Sequence, residues 1–170
     1  MAAIKPKIVF WKPGGVVRGQ QVYLDANFLV ALSWPAHIWH TSASGLLTSF
    51  SERNTRLLLS SLALNEAIYQ LMRLEERDKA ENNDGEGSTS RQEWPEFLDS
   101  TLLSLPNIQT FEPPDLDFHR QVIKAVRDLK LDPTDAFHYS AARRLLCPIV
   151  TNDTGFQKIP DQNLVVVTFF

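Results

Sequence analysis

Short apolar runs separated by amphipathic stretches set the pattern of this chain. Val22, Tyr23 and Leu24 form one run and end at Asp25; Leu57, Leu58 and Leu59 form a second. Residues 108–111 make a third, residues 148–151 a fourth ending near Asp153, and residues 164–168 a fifth. Runs this short, apolar and bounded by polar or turn-forming residues predict buried strands. Helical spacing and helix punctuation lie between them. Residues 26–33 predict a helix stopped by Pro35, and residues 37–52 a second. Ser60 or Ser61 is placed to cap a helix over about residues 62–77. Ser90 and Glu93 have capping-box spacing for a helix that ends before Pro106. Residues 115–130 predict another helix, and Asp132 with Pro133 opens one more, with proline at its first position. Strands alternating with helices predict an α/β fold, a mainly parallel central sheet of four or five strands flanked by helices.

Two segments break the alternation. Residues 8–11 and 16–17 flank Lys12, Pro13, Gly14 and Gly15, which predicts a small hairpin within an N-terminal extension over 1–21. Residues 78–91 are polar, contain glycine and have no period; they predict a mobile surface loop inside a single domain spanning 1–170.

Composition narrows the class. At 170 residues, 44% hydrophobic and 22% charged, the chain is an ordinary globular protein able to bury its own core. A net charge of -3 excludes binding of nucleic acid through bulk positive charge alone, but not through a local basic rim. Cys147 is the one cysteine and lies among Leu145, Leu146, Ile149 and Val150, which predicts a buried structural thiol. No segment has the length and apolarity of a membrane span, and the N-terminus lacks a signal-peptide run, so the cytoplasm is the expected compartment.

The candidate chemistry is acidic. Asp25 and Asp153 each fall where a predicted strand ends, the edge at which open α/β sheets bind ligands. Glu66 lies one turn into the helix after the second strand, and Asp135 in the first turn of the helix opened by Pro133. Each has an ordinary explanation alone: a helix cap for Asp25, a turn for Asp153, a capping box with Asp132 for Asp135, a solvated face for Glu66. Gathered together, four carboxylates repel and need a cation. Hard oxygen donors suit Mg²⁺ or Mn²⁺, which activate water and neutralise charge on a phosphodiester.

Four stretches then carry a resemblance. Val22-Tyr23-Leu24-Asp25-Ala26-Asn27-Phe28-Leu29, Leu62-Ala63-Leu64-Asn65-Glu66, the helix from Pro133-Thr134-Asp135-Ala136 to Ala142, and Ile149-Val150-Thr151-Asn152-Asp153-Thr154-Gly155-Phe156 resemble, in order and spacing, the PIN-domain family of metal-dependent ribonucleases, particularly toxins of VapC type. His40 and Ala43 also fit a common pattern of that family. The resemblance covers about residues 22–168. It implies that Asp25, Glu66, Asp135 and Asp153 are catalytic and bind Mg²⁺ or Mn²⁺, with Asn27 and Thr151 as polar support. It further implies an RNA substrate, an antitoxin partner and a homodimer. Many relatives carry a second acid two residues after the fourth, where this chain has Gly155, which leaves one or two metal ions open. The alternative is a PIN-like module that binds RNA or protein without cutting.

Other residues carry weaker signals. His37 and His40 have a ligand spacing but no acidic or cysteine partner, so packing or surface roles are expected. His138 and Tyr139, one turn after Asp135, are candidates either to orient substrate or to pack in the core. Trp34, Trp39 and Trp94 are candidates for helix contacts or a dimer face. Arg53, Arg56, Arg73, Arg77, Arg143, Arg144 and Lys158 are basic positions of the kind that contact phosphates, with no single one assigned.

Overall fold

All five expected strands form in the computed structural model, which describes residues 5–15, 17, 19–81, 93–113 and 115–170, and a sixth joins them. They are β1 (Lys7–Phe10), β2 (Gln21–Leu24), β3 (Arg56–Ser60), β4 (Ile108–Phe111), β5 (Ile149–Val150) and β6 (Val165–Thr168). Every pairing is parallel, and the order across the sheet is β1-β6-β5-β2-β3-β4. The sheet thus has six strands rather than four or five, and the addition is β1. A turn does form after it, with the Gly15 N–H donating to the Lys12 carbonyl at 2.7 Å. The expected hairpin arm, however, pairs elsewhere: Lys7–Phe10 runs parallel to β6, Val17 is in no strand, and Val16 lies outside the described residues. A lone two-stranded hairpin is marginal in water, whereas the edge of an existing sheet offers both a ladder and a packed face.

The helices are α1 (Ala26–Ser33), α2 (His40–Glu52), α3 (Ser61–Glu81), α4 (Glu93–Glu96), α5 (Leu116–Leu129) and α6 (Pro133–Leu145). Ser60 caps α3 by accepting the Ala63 N–H at 3.1 Å. Residues 78–81, expected in a loop, are instead the last turn of α3. Ion pairs between Lys79 and Glu75 and between Arg77 and Glu81 bridge successive turns there. The remainder of that expected loop lies outside the described residues, as does Ser90 of the expected capping box. α4 runs on into a π-helical turn, Phe97–Leu102.

Strand alternation distributes the core over two faces. Val22 and Leu24 of β2, with Leu57 and Leu59 of β3, pack against Phe28, Leu29, Leu46 and Leu71 from α1, α2 and α3. Tyr23 and Leu58 face the other way, toward Phe118 of α5 and Ala141 of α6. Strands covered on both sides read as continuous apolar runs, which is why the sequence shows them so plainly. Cys147 is buried, and burial pushes its thiol up to about 12, in keeping with a structural role. No helix among the described residues is long and apolar enough to cross a membrane.

The topology creates one special place. From β2 the chain steps outward through β3 to β4, then returns to lay β5 against the opposite side of β2. Strand order reverses between β2 and β5, and crevices at the carboxyl ends of such switch points are where open α/β sheets bind ligands.

Candidate functional site

Asp25 sits at that reversal. Its backbone N–H donates to the Val150 carbonyl of β5 at 3.2 Å, and its side chain is almost wholly buried. One carboxylate oxygen, Oδ1, accepts the Ala26 N–H at 2.8 Å and caps α1. The other accepts from Thr151 Oγ1 at 2.6 Å and from Asn27 Nδ2 at 3.3 Å. Thr151 Oγ1 in turn accepts the Asp153 N–H at 3.0 Å, so a single hydroxyl ties the two strand-end acids together. Burial raises the pKa of Asp25 above the usual carboxylate range; His138 and the Thr151 bond partly offset this, and the Glu66 charge adds to it.

Glu66 reaches the same place from α3. Its Oε2 lies 3.3 Å from His138 Nε2, and that nitrogen is 3.5 Å from Asp25 Oδ1. Ligand atoms of Asp25, Glu66 and His138 all fall within 4.8 Å of one another. His138 is 1% exposed and is held from behind: its Nδ1 is 2.8 Å from the Tyr23 hydroxyl, which is 2.7 Å from Ser60 Oγ. Carboxylates only accept, so the histidine nitrogen facing two of them carries the proton, and Tyr23 donates to Nδ1. The relay therefore runs from the Ala63 N–H through Ser60, Tyr23 and His138 to Glu66.

Asp135 enters from the first turn of α6, behind the Asp132 cap. Its pKa is pushed up to about 6, first by burial, then by the charges of Asp153, Asp25 and Asp132, with His138 working the other way. Asp135 is thus within electrostatic reach of both strand-end acids. Asp153 folds back on its own turn, its Oδ1 accepting the Gly155 N–H at 2.6 Å. A Cβ at Gly155 would stand 3.0 Å from that same oxygen, so a side chain here presses directly on Asp153.

The four acids expected from the sequence therefore approach one edge, as two overlapping groups. Asp25 and Glu66 meet across His138, and Asp135 feels the charges of Asp153 and Asp25. Among the described residues, no lysine or arginine forms an ion pair with any of the four. Several partly buried carboxylates without a cationic side chain are a donor set that fits a hard divalent cation. Asn27 and Thr151 both bond Asp25, as supporting residues would.

The residue that sequence reasoning undervalued is His138. It and Tyr139 are adjacent in sequence, yet successive helical residues point apart. Tyr139 turns away to donate to Asp161 at 2.8 Å, beside Arg143, while His138 turns inward. The signal available was its three-residue spacing from Asp135 on one helix face. His40 ties α2 to α1 through the Ala31 carbonyl at 3.1 Å. Of the basic candidates, Arg77, Arg143 and Arg144 are engaged by Glu81, Asp161 and Asp115. A cavity of about 500 Å³ beside α5 and α6, lined by Lys124, Tyr139 and Arg143 among others, contains none of the four acids. Converging like charges are the stronger mark of chemistry.

Comparison with known proteins gives the family and the fold. The family model described as the PIN domain matches residues 22–162. Among solved structures, VapBC2 from Rickettsia felis, bound to a DNA fragment from its promoter, is 20% identical with a TM-score of 0.61, covering 88% of this chain and 99% of that one. VapC20 from Mycobacterium tuberculosis, described as a toxin cleaving the sarcin–ricin loop, is 18% identical with a TM-score of 0.57, covering 79% and 92%. FitAcB from Neisseria gonorrhoeae is 18% identical with a TM-score of 0.53, covering 88% and 96%. Among curated proteins none matches the chain.

Proposed function

The chain belongs to the PIN-domain family, and from that premise we propose that it is a metal-dependent endoribonuclease, the toxin of a toxin–antitoxin pair. The observation that carries this reading is the convergence of Asp25, Glu66, Asp135 and Asp153 at the β2–β5 reversal without a lysine or arginine partner among the described residues. Asp25 and Glu66 would hold the cation from β2 and α3, and Asp135 and Asp153 would complete its cradle from α6 and the end of β5. When bound, Mg²⁺ or Mn²⁺ supplies water activation and charge neutralisation at a phosphodiester. Thr151 and Asn27, which donate to Asp25 Oδ2, would fix the orientation of that carboxylate toward the cation.

The likeness to VapC-type structures supports the toxin reading, with a protein antitoxin as partner, a homodimer as the working assembly and the cytoplasm as the compartment. The test is cleavage of labelled RNA with Mg²⁺ or Mn²⁺ and with EDTA, followed by analysis of product ends. Water as the attacking group leaves a 5′-phosphate and a 3′-hydroxyl. Cleavage that survives EDTA, or cyclic 2′,3′-phosphate ends, overturns the mechanism. Normal metal binding with no cleavage of any RNA points instead to a binding module.

A further inference from the structure

We propose that His138 is itself a ligand: its Nε2 joins Asp25 and Glu66 in holding the divalent cation, so the centre has a mixed nitrogen and oxygen donor set, which first-row transition-metal ions accept more readily than Mg²⁺ does. The inference rests on the metal-dependent reading of this site.

Three observations carry it. The first is placement. His138 Nε2 and one carboxylate oxygen each from Asp25 and Glu66 lie within 4.8 Å of one another, brought together from α6, the β2–α1 junction and α3. The second is the distances. Charge-assisted N–H···O bonds close to about 2.7–2.9 Å, yet Nε2 stands 3.3 Å from Glu66 and 3.5 Å from Asp25. Nε2 instead faces both carboxylate oxygens at similar distance, which leaves all three atoms placed to share one ion.

The third is what stands behind the ring. Metal-binding histidines are fixed through their other nitrogen by a hydrogen-bonding partner. Here Nδ1 meets the Tyr23 hydroxyl at 2.8 Å inside the core. That partner suits both states. With no cation bound, Tyr23 donates to Nδ1 and Nε2–H faces the acids. With a cation on Nε2, the ring stays neutral with its proton on Nδ1, which donates to Tyr23. The tyrosine hydroxyl then donates to Ser60 Oγ, which has a second lone pair beside the one that accepts the Ala63 N–H. A carbonyl acceptor at the same place would have fixed one tautomer. Imidazole nitrogen suits ions such as Fe²⁺, Ni²⁺ and Zn²⁺ better than Mg²⁺, which prefers oxygen; Mn²⁺, the weakest binder of that series, serves as the paramagnetic probe.

The deciding measurement is pulsed electron paramagnetic resonance of Mn²⁺ bound to the full chain, with and without isotopically labelled histidine. The expected spectrum of the unaltered protein shows coupling to an imidazole nitrogen. His138→Gln should abolish that coupling and weaken Mn²⁺ binding roughly tenfold or more, with a smaller change for Mg²⁺. Tyr23→Phe should keep the coupling and weaken Mn²⁺ binding about tenfold, because only the orienting partner is lost. Bound Mn²⁺ with no nitrogen coupling overturns the inference and leaves the carboxylate site standing. Failure of Mn²⁺ to bind overturns both. Should His138→Gln not fold, the spectra of the unaltered protein and Tyr23→Phe still decide.

Discussion

Thr151 and Asp25 show how much depends on single atoms at the strand ends. Thr151 Oγ1 donates to Asp25 Oδ2 and accepts from the Asp153 N–H, and it is fully buried. Thr151→Val removes both bonds without changing shape, so urea unfolding should show a loss of about 1–3 kcal/mol. Asp25→Asn is nearly isosteric and removes a negative charge that burial already disfavours, so the protein should stay folded. Cleavage should fall roughly a thousandfold, since a metal contributes several kcal/mol of transition-state stabilisation and about 1.4 kcal/mol is a factor of ten.

Asp135 gives the pH dependence. Its folded pKa of about 6 lies above the ordinary carboxylate value of 3.8. Between those values the folded form holds a proton that the unfolded form has released. Its stabilising contribution is therefore full below the unfolded pKa and is lost as pH rises through about 6. Without metal, the Tm should fall as pH rises from 5 to 7, and Asp135→Asn should flatten that fall. The group is half-exposed, so after solvent screening the effect is about 1 kcal/mol, or roughly 2–4 °C. Excess Mg²⁺ or Mn²⁺ should abolish the fall by supplying the missing positive charge.

At the scale of elements, α6 organises the site. Asp132 caps it by accepting the Thr134 N–H at 2.9 Å, Pro133 opens it, and Asp135 and His138 leave from the same face one turn apart. Its other end is less settled. Leu146 closes α6 in the left-handed region at φ 51 and is 85% exposed, so it bears the steric cost of that conformation with little burial in return. Leu146→Gly should relieve that cost. Allowing for the freer unfolded chain, the gain should be about 0.5–1 kcal/mol, read as a higher Tm with metal binding unchanged. No gain would mean that Leu146 packs on a partner in solution.

For the whole molecule, the edge of the sheet matters as much as its centre. β1 and β6 both lie outside the segment matched by the PIN-domain model, yet they pair along Lys7–Phe10 and Val165–Thr168 and extend the sheet by two strands. Trp11, just after β1, is buried in the main core, where the glycine at position 45 leaves room for it. A Cβ there would stand 2.9 Å from the indole. Trp11→Ala should therefore cost roughly 3–5 kcal/mol, measured by denaturant unfolding, with Mn²⁺ affinity of the remaining folded protein unchanged. A small loss would show that the N-terminal strand is an appendage rather than part of the fold.

Local pattern determined the elements of this protein. Apolar runs buried on both faces, Ser60 before a helix, Asp132 with Pro133, and acids directly after strands are all properties of near neighbours, and near neighbours are what a sequence displays. The strand-end positions of Asp25 and Asp153 were legible for the same reason, whereas the bond from Thr151 to Asp25 joins residues 126 apart and needed the tertiary structure. Only the tertiary structure decided the rest. β1 pairs with a strand more than 150 residues away, and its apolar pattern carries no record of which edge receives it. The reversal of strand order between β2 and β5 brings α3 and α6 over one crevice, and this places His138 between Asp25 and Glu66. A buried histidine on a helix has the same sequence signature whether it fills a core or faces two carboxylates. Its surroundings distinguish the two: Tyr23 of β2, Asp25 just after it, Ser60 of β3 and Glu66 of α3.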